Sequence, residues 1–444
     1  MLIKLYVEAY GCALNRGETG KVVRALQQRG HTMVYEASDS DEILLATCVV
    51  IGSTERKMLK RLKELSSIGV PIAVTGCAGP TCPELVRNAS RHAAVFMPGD
   101  TAGPVDFLAG VTRPAIPGGS FAIAQKRSSE TAPRRLPKKP RIASVSRIPF
   151  TEPGDVVYPL PIASGCKGAC AYCITRKARG ALKSRPLEEI CDEAGLAIEH
   201  GAAEIQLCAQ DSGVYGDDNE GSLLELLKAI SSMEGDFMVR VGMMNPGSVK
   251  EIFLQLLEAY SSPRVYKFLH LPVQSGDDGV LESMGRGHTA GEALEMMMAF
   301  RERFPESTIS TDVIVGFPGE DSEAHSATKA FLRESRPDIV NVTRFSPRPG
   351  TAAALMPGAP QGRSVKARSR ELTAIRKSIA EENNARWLGE RLEVLATEDG
   401  RGTTTMMRTA GYKQTILAGR VPLGKRYTVK IANTNSINLF GKIE

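Results

Sequence analysis

The feature of this sequence that most limits its fold is an alternation of short apolar segments with amphipathic segments of helical periodicity. Near the N-terminus, LIKLYVEAYGC, EILLATCVV and VPIAVTGC resemble strands, while ETGKVVRALQQRG and TERKMLKRLKELSS resemble helices. Strands that are joined through helices are usually parallel. The pattern therefore predicts an α/β domain, a parallel sheet with helices on its faces, over residues 1–112.

The same alternation resumes at residue 156 and repeats six times. The candidate strands are PLPIAS, EIQLCAQ, FMVRVGM, YKFLHLPV, TISTDVIVGF and DIVNVTRF. Six βα units predict a partial (β/α)6 barrel of the TIM type over residues 156–386, with its active site at the carboxyl ends of the strands. Polar residues follow several of these strands, including Gln210, Asp211 and Asn245.

Two further regions complete the predicted organisation. Residues 387–444 contain short strand-like segments separated by glycine and proline turns, which predicts a small all-β barrel. Residues 113–155 form a linker rich in proline and basic residues, with eight Lys or Arg and one acid between Lys126 and Arg147. A solvated linker and a strap over RNA phosphates are both consistent with this composition.

Charge and hydropathy exclude several classes of protein. The chain of 444 residues has a net charge of +6, which favours a polyanionic partner. It contains no apolar run near the length of about 20 residues that a membrane-spanning helix needs, and its N-terminus lacks the apolar stretch of a secretory signal. We therefore expect a cytoplasmic protein that is not associated with a membrane.

The nine cysteines favour metal or redox chemistry, because an odd number in a chain of this kind does not suggest a disulfide framework. Cys12, Cys48 and Cys77 lie at or near the carboxyl ends of the three predicted N-terminal strands. That edge of an open α/β sheet is where ligands bind, so we expect these three thiols to converge on one rim.

A second cysteine group, Cys166-x3-Cys170-x2-Cys173, lies in SGCKGACAYCITRKARG after the first predicted barrel strand. Structural zinc needs four nitrogen or sulfur ligands, and the next cysteine or histidine after this group is on the following predicted helix. Three thiolates on a short loop suit a [4Fe–4S] cluster with one iron open to a small molecule, and zinc is the alternative. The basic residues Arg176, Lys177 and Arg179 follow directly and are consistent with a solvated loop or an RNA contact.

With these motifs the chain resembles the radical S-adenosylmethionine (SAM) methylthiotransferases over essentially its whole length. It is most similar to the archaeal and eukaryotic branch that modifies threonylcarbamoyladenosine in tRNA. The motifs that carry the resemblance are GCALNRGET, ATCVVIGSTERKMLKRL, VTGCAGP, SGCKGACAYCITRKARG, LCAQDSGVYG, RVGMMNP, FLHLPVQSGDDGVLESMGRGHT, STDVIVGFPGE and FSPRPGTAA.

The resemblance implies a radical SAM barrel, a C-terminal RNA-binding domain of the TRAM type and two [4Fe–4S] clusters. Cys166, Cys170 and Cys173 would bind the cluster that holds SAM, and Cys12, Cys48 and Cys77 would bind an auxiliary cluster. We assign SAM contacts to Gln210, Asp211, Asn245, Gly316 and Glu320. No side chain is expected to act as a catalytic acid, base or nucleophile, because radical chemistry resides in the cofactors.

The activity implied is methylthiolation of C2 of N6-threonylcarbamoyladenosine next to the anticodon, with SAM as methyl donor and as radical source. The implied partners are tRNA, an electron donor and a sulfur source, and we expect a monomer. Two alternatives remain. One is the same chemistry on isopentenyladenosine in tRNA or on a ribosomal protein, and the other is a non-catalytic zinc protein that binds RNA.

Overall fold

Residues 2–50, 52–111, 145–146, 151–152 and 154–443 are described by the computed structural model. Most of the basic linker predicted at residues 113–155 therefore lies outside the described residues. The chain divides into two units, one of Met1–Thr151 with Ile174–Gly180 and one of Glu152–Cys173 with Ala181–Glu444. The predicted domain boundaries stay a prediction, and each unit is described by itself.

The first unit is an α/β sheet domain, as the alternating segments predict. Its strands are β1 (Lys4–Tyr10), β2 (Thr32–Val34), β3 (Glu42–Thr47), β4 (Ile72–Gly76), β5 (Ala93–Val95) and β6 (Val145–Ser146). Its helices are α1 (Ala13–Gln28), α2 (Gly52–Ser66), α3 (Ala78–Thr81), α4 (Pro83–Ala89), α5 (Ala102–Leu108) and α6 (Thr175–Arg179). Strands β2-β1-β3-β4-β5 are parallel in that order, and β6 pairs antiparallel with β1.

Both faces of this sheet are buried, which explains why its central strands are apolar throughout. Along β3, Ile43 and Leu45 pack with apolar residues of α2, whereas Leu44 and Ala46 pack with those of α1 and α5. Because successive side chains of a strand point to opposite faces, one apolar run serves two cores. The edge strands β2 and β5 are absent from the sequence prediction, since three residues carry no periodic signal.

The second unit contains the predicted radical SAM barrel. Its strands are β7 (Val157–Pro161), β8 (Ala163–Ser164), β9 (Lys183–Ser184), β10 (Glu204–Cys208), β11 (Met238–Arg240), β12 (Phe268–His270), β13 (Thr308–Val315) and β14 (Ile339–Arg344). Its helices are α7 (Leu187–Glu199), α8 (Leu223–Ser231), α9 (Pro246–Val249), α10 (Phe253–Tyr260), α11 (Asp278–Met284), α12 (Ala290–Arg303), α13 (Ser322–Ser335) and α14 (Gly362–Ala385).

All six predicted barrel strands are present and parallel. Strands β7-β10-β11 form one sheet and β12-β13-β14 a second, and a parallel bridge between Val239 and Val265 links them. Within the described residues, no pairing connects β7 with β14, so the barrel is open, as six βα units predict. Strands β8 and β9 form a small antiparallel ribbon apart from it.

The C-terminal tail is a closed five-stranded barrel, as predicted. Its strands are β15 (Arg391–Asp399), β16 (Thr404–Thr409), β17 (Gln414–Ala418), β18 (Arg426–Thr434) and β19 (Leu439–Ile443). The final predicted segment is two strands, because the side chain of Asn435 accepts hydrogen bonds from the backbone of Ile437 and Asn438 and turns the chain. The sequence pattern alone does not indicate this turn.

The C-terminal barrel packs against the amino ends of the parallel strands of this unit. The ring of Tyr412 contacts Tyr266 edge-on and Phe268 at a tilt, at centroid distances of 4.7 and 4.8 Å, and its hydroxyl donates to Glu204 at 3.0 Å. Glu204 and Phe268 are the first residues of β10 and β12. The carboxyl ends of these strands, where the site is expected, are at the opposite end of the barrel.

No helix among the described residues is both long enough and apolar enough to span a membrane.

Candidate functional site

Cys12, Cys48 and Cys77, here called the N-terminal triad, follow the carboxyl ends of three neighbouring strands. Cys48 and Cys77 come directly after β3 and β4, and Cys12 comes two residues after β1. Burial, together with the charges of Cys12 and Cys77, raises the pKa of the Cys48 thiol to about 11. The fold therefore brings the three thiols to one rim, within electrostatic reach of each other.

Two glycines allow the chain to turn just before Cys12 and Cys77. Gly11 has a φ of +107°, and a Cβ there would lie 3.0 Å from the Cβ of Cys48. Gly76 has a φ of +85°, and a Cβ there would lie 2.5 Å from the carbonyl oxygen of Thr47. At both positions the backbone is left-handed and a side chain would lie too close to a neighbouring strand end. The glycine that precedes each cysteine in the two motifs therefore has a structural cause.

Hydrogen bonds from Asn15 and Thr47 tie the three strand ends together. The amide of Asn15 donates to the carbonyl oxygens of Tyr10 (2.7 Å) and Thr47 (2.9 Å), which joins β1 to β3. The hydroxyl of Thr47 donates to the carbonyl of Thr75 (2.6 Å) and accepts from the backbone N–H of Ala78 (3.0 Å), which joins β3 to β4. The strand ends that carry the triad are therefore held together by hydrogen bonds.

Arg179, from α6, is buried against this triad. Its side chain is 1% exposed, and its Nε donates to the sulfur of Cys77 at 3.4 Å. The other two nitrogens donate to the two carboxylate oxygens of Glu18 at 2.6 and 2.8 Å, and one of them also donates to Asn15 at 3.1 Å. The sequence interpretation of Arg179 as a solvated or RNA-contacting residue is therefore wrong, whereas Arg176 and Lys177 are exposed.

Cys166, Cys170 and Cys173, here called the barrel triad, lie on the loop that follows β8. The N–H of Gly168 donates to the sulfur of Cys166 at 3.3 Å, and the N–H of Cys173 donates to the carbonyl of Cys170 at 3.0 Å. Burial, with the charges of Asp211, Cys173 and Cys170, raises the pKa of the Cys166 thiol to about 11. One tight loop therefore presents all three thiols together.

Arg286 donates a hydrogen bond to one sulfur of the barrel triad, as Arg179 does to one sulfur of the N-terminal triad. It is buried, and one nitrogen donates to the sulfur of Cys170 (3.3 Å) and to the hydroxyl of Tyr172 (3.4 Å). A second nitrogen donates to the carbonyl of Pro272 at 2.6 Å. The sequence motif SMGRGHT contains this arginine, but its role depends on a contact across 116 residues.

The residues assigned to SAM divide into two kinds. Gln210 and Asn245 each hold a side-chain oxygen that is buried without a hydrogen-bond partner in the described part of the chain. Asp211 is saturated, since it accepts from the N–H groups of Gly213 and Asn245 and from the hydroxyl of Ser248. The first two side chains have atoms available for a ligand, while Asp211 shapes the loops around them.

Gly316 and Glu320 form a closed loop rather than an open contact surface. The carboxylate of Glu320 accepts from the N–H of Gly316 at 2.8 Å and from Arg368 at 2.7 Å. Its side chain is therefore committed to holding the loop after β13. The assignment of the five residues to SAM stays a prediction, and the geometry favours Gln210 and Asn245.

The donor set of each triad suits an iron–sulfur cluster. Each triad supplies three free thiols. A structural zinc ion needs four nitrogen or sulfur ligands, whereas a [4Fe–4S] cluster held by three thiolates keeps one iron open. Three sulfurs per triad match the cluster with one open iron.

Cys82 and Cys208 belong to neither triad. The thiol of Cys82 donates to the carbonyl of Ala78 at 3.3 Å, and that of buried Cys208 donates to the carbonyl of Gln206 at 3.1 Å. Both thiols have backbone partners of their own, which makes them suitable controls for the triads.

Comparison with known proteins agrees with this architecture. Residues 160–332 match the family described as the Radical SAM superfamily, and residues 4–97 match the uncharacterized protein family UPF0004. A probable threonylcarbamoyladenosine tRNA methylthiotransferase of Pyrococcus abyssi is 39% identical over 445 residues and is covered, like this chain, over 100% of its length. The chain belongs to the threonylcarbamoyladenosine tRNA methylthiotransferase family. The resemblance inferred from the motifs is thereby confirmed.

Further members and a solved structure extend the comparison. The threonylcarbamoyladenosine tRNA methylthiotransferase of Homo sapiens is 29% identical over 96% of this chain and 72% of that protein. The solved radical SAM methyltransferase TsrM from Kitasatospora setae, 12% identical, covers 80% of this chain and 77% of its own with a TM-score of 0.54. That likeness shows the fold. Members of this family carry two [4Fe–4S] clusters and use SAM.

Proposed function

We propose that this chain is a radical SAM enzyme that methylthiolates C2 of N6-threonylcarbamoyladenosine next to the anticodon of tRNA, with SAM as methyl donor and radical source. The observation that carries the proposal is the pair of separate thiol triads, each at strand ends or on a strand-end loop and each with a buried arginine donating to one sulfur. A reaction that both generates a radical and delivers sulfur needs two clusters, each with an open iron.

In this proposal the barrel triad holds the cluster that binds SAM, and the N-terminal triad holds the auxiliary cluster. When bound, these groups supply the deoxyadenosyl radical and the sulfur that the product acquires. The side-chain oxygens of Gln210 and Asn245 would orient SAM, since they are buried and have no partner in the described residues. Asp211 holds the loops that carry them, since it accepts from the backbone N–H groups of Gly213 and Asn245 and from the hydroxyl of Ser248.

A tRNA substrate is supported by exposed basic side chains on the C-terminal barrel and on α14. Nine Lys or Arg and five acids lie between Glu390 and Glu444. The exposed cations in that barrel are Arg391, Arg401, Arg420, Lys425, Lys430 and Lys442, and those on α14 are Arg363, Lys366, Arg370 and Lys377. Cations on an accessible surface bind phosphates with little dependence on sequence. The proposal includes a cytoplasmic monomer supplied by an electron donor and a sulfur source.

The test compares three variants, each with one cysteine replaced by alanine, in protein that is prepared and reconstituted without oxygen. Each is incubated with SAM, a reductant and tRNA, and mass spectrometry measures 5′-deoxyadenosine and the modified nucleosides. Cys170→Ala should abolish both, Cys48→Ala should retain SAM cleavage without methylthio product, and the control Cys82→Ala should retain both.

The same measurement separates the alternatives. Methylthiolation at a normal rate by Cys48→Ala would contradict the assignment of two clusters. Product on isopentenyladenosine, or on a ribosomal protein added in place of tRNA, would change the target but not the chemistry. A colourless protein that contains zinc and no iron would contradict the enzyme and favour the RNA-binding alternative.

A further inference from the structure

Arg179 and Glu18 form a buried ion pair beside the N-terminal triad, and the proposed function gives this pair no role. We propose that the pair sets the reduction potential of the auxiliary cluster, with Arg179 raising it and Glu18 opposing that effect. The inference rests on the proposed assignment of Cys12, Cys48 and Cys77 to that cluster. In this inference Arg179 and Glu18 act through the cluster, by changing its reduction potential, and do not react themselves.

The geometry presents the cation to the sulfur and the anion behind it. Arg179 turns its Nε–H toward the sulfur of Cys77 (3.4 Å), while its two terminal nitrogens face the carboxylate of Glu18. The guanidinium therefore lies between the thiol and the carboxylate. A bidentate pair of this kind is rigid, and the additional bond to Asn15 connects it to the cross-linked strand ends.

The two charges act unequally at Cys77, in keeping with that order. The Nε–H of Arg179 lies within hydrogen-bond distance of the Cys77 sulfur, whereas the carboxylate of Glu18 lies on the far side of the guanidinium. The guanidinium is thus the dominant charge at this sulfur. An arginine side chain stays protonated in proteins, and the two hydrogen bonds to the Glu18 carboxylate compensate for its burial, so the cation persists.

The expected direction follows from charge balance. Three thiolates on a [4Fe–4S] core give a net negative cluster, and one-electron reduction makes it more negative. A nearby cation and an N–H donor to sulfur stabilise the reduced form and raise the potential. Loss of Arg179 should therefore lower the potential. Loss of the charge on Glu18 should raise it, because the guanidinium is then no longer neutralised.

The test uses full-length protein in which Cys166, Cys170 and Cys173 are all replaced by alanine, so that only the auxiliary cluster remains. Midpoint potentials are measured by redox titration followed by electron paramagnetic resonance, with iron content determined for each sample. Arg179→Gln should lower the midpoint potential and Glu18→Gln should raise it. Each shift should be about 59 mV, which for one electron is a tenfold change in the ratio of reduced to oxidised cluster at a given potential. Arg179→Lys should fall between the parent and Arg179→Gln.

Two controls make the result specific. Lys177→Gln removes an exposed positive charge from the same helix and should leave the midpoint unchanged. Arg286→Gln, placed in protein that retains the barrel triad but lacks Cys12, Cys48 and Cys77, should lower the potential of the other cluster instead.

The outcomes separate this inference from the proposed function. A parent triple variant that binds no iron would contradict the auxiliary site itself. Iron bound normally with unmoved midpoints in both variants, or midpoints that move in the same direction, would overturn the inference alone. Loss of the cluster from both Arg179→Gln and Glu18→Gln would show a purely structural pair and would also overturn it. If only Arg179→Gln loses its cluster, the upward shift in Glu18→Gln decides.

Discussion

Lys413 connects the C-terminal barrel to the radical SAM barrel through a buried ion pair, and its loss should destabilise the tail. Its ammonium donates to Asp338 at 2.6 Å and to Asn384 at 2.8 Å. Lys413 and Asp338 are both buried, at 6% and 5% exposure. Lys413→Met keeps an unbranched apolar stem of similar length, but it removes the charge that faces the carboxylate.

The magnitude follows from what remains around Asp338. Removing one partner of a buried ion pair costs about 3–5 kcal/mol, because the other charge loses its compensation. Asp338 keeps Arg301 at 2.5 Å and the N–H of Ile309 at 2.9 Å, so we expect the lower end, about 3 kcal/mol. With a urea dependence of about 1–3 kcal/mol per molar, the midpoint of unfolding should fall by roughly 1–3 M.

Trp387 makes the measurement selective. It is the single tryptophan of the chain and packs against the apolar core of the C-terminal barrel, so its fluorescence reports unfolding of that part. Lys430→Met, which changes an exposed lysine of the same barrel, is the matched control. A midpoint that moves no further in Lys413→Met than in Lys430→Met would refute the reasoning.

Three further outcomes follow from contacts already described. Tyr412→Phe removes the donor to buried Glu204, so the same fluorescence assay should show a loss of about 1–3 kcal/mol; an unchanged midpoint would contradict it. Gly76→Ala pushes a Cβ to 2.5 Å from a carbonyl oxygen of β3 and should lower iron bound by the N-terminal triad, whereas Gly69→Ala, with no atom within 4 Å, should not. Although burial favours protonation, Lys413 and Arg301 hold the pKa of Asp338 below its ordinary value, so its contribution to stability is present above about pH 3.9 and is lost as pH falls through the lowered pKa. The fluorescence-monitored midpoint should therefore fall on acidification less in Asp338→Asn than in the parent, and equal slopes would count against this carboxylate.

The parts of this fold that the sequence predicts are those with a local periodic signal. The six barrel strands and the three central strands of the first unit are apolar runs between amphipathic helices, and the structure has all nine as strands. The convergence of Cys12, Cys48 and Cys77 also follows locally, because each comes at or just after a strand end and neighbouring parallel strands end at one edge. Spacing alone groups Cys166, Cys170 and Cys173.

What the sequence does not predict depends on partners far along the chain. The segment RKARG is locally indistinguishable from a basic surface loop, yet Arg179 is buried by Glu18 and Asn15, 161 and 164 residues away. Likewise, Asp211 and Glu320 have the position and chemistry of ligand contacts. Their carboxylates are consumed by internal hydrogen bonds that no local pattern encodes.

The membership of α6 in the first unit has a consequence for how the protein is made. The segment Ile174–Gly180, which contains α6, is translated long after the five parallel strands of the first unit and follows directly on Cys173 of the second unit. While the ribosome is still short of residue 179, Glu18 is a carboxylate without its arginine. An N-terminal fragment ending at residue 111 would have the three cysteines but not their guanidinium. The unit that would deliver sulfur is therefore completed only by a segment that lies, in the sequence, within the unit that would make the radical.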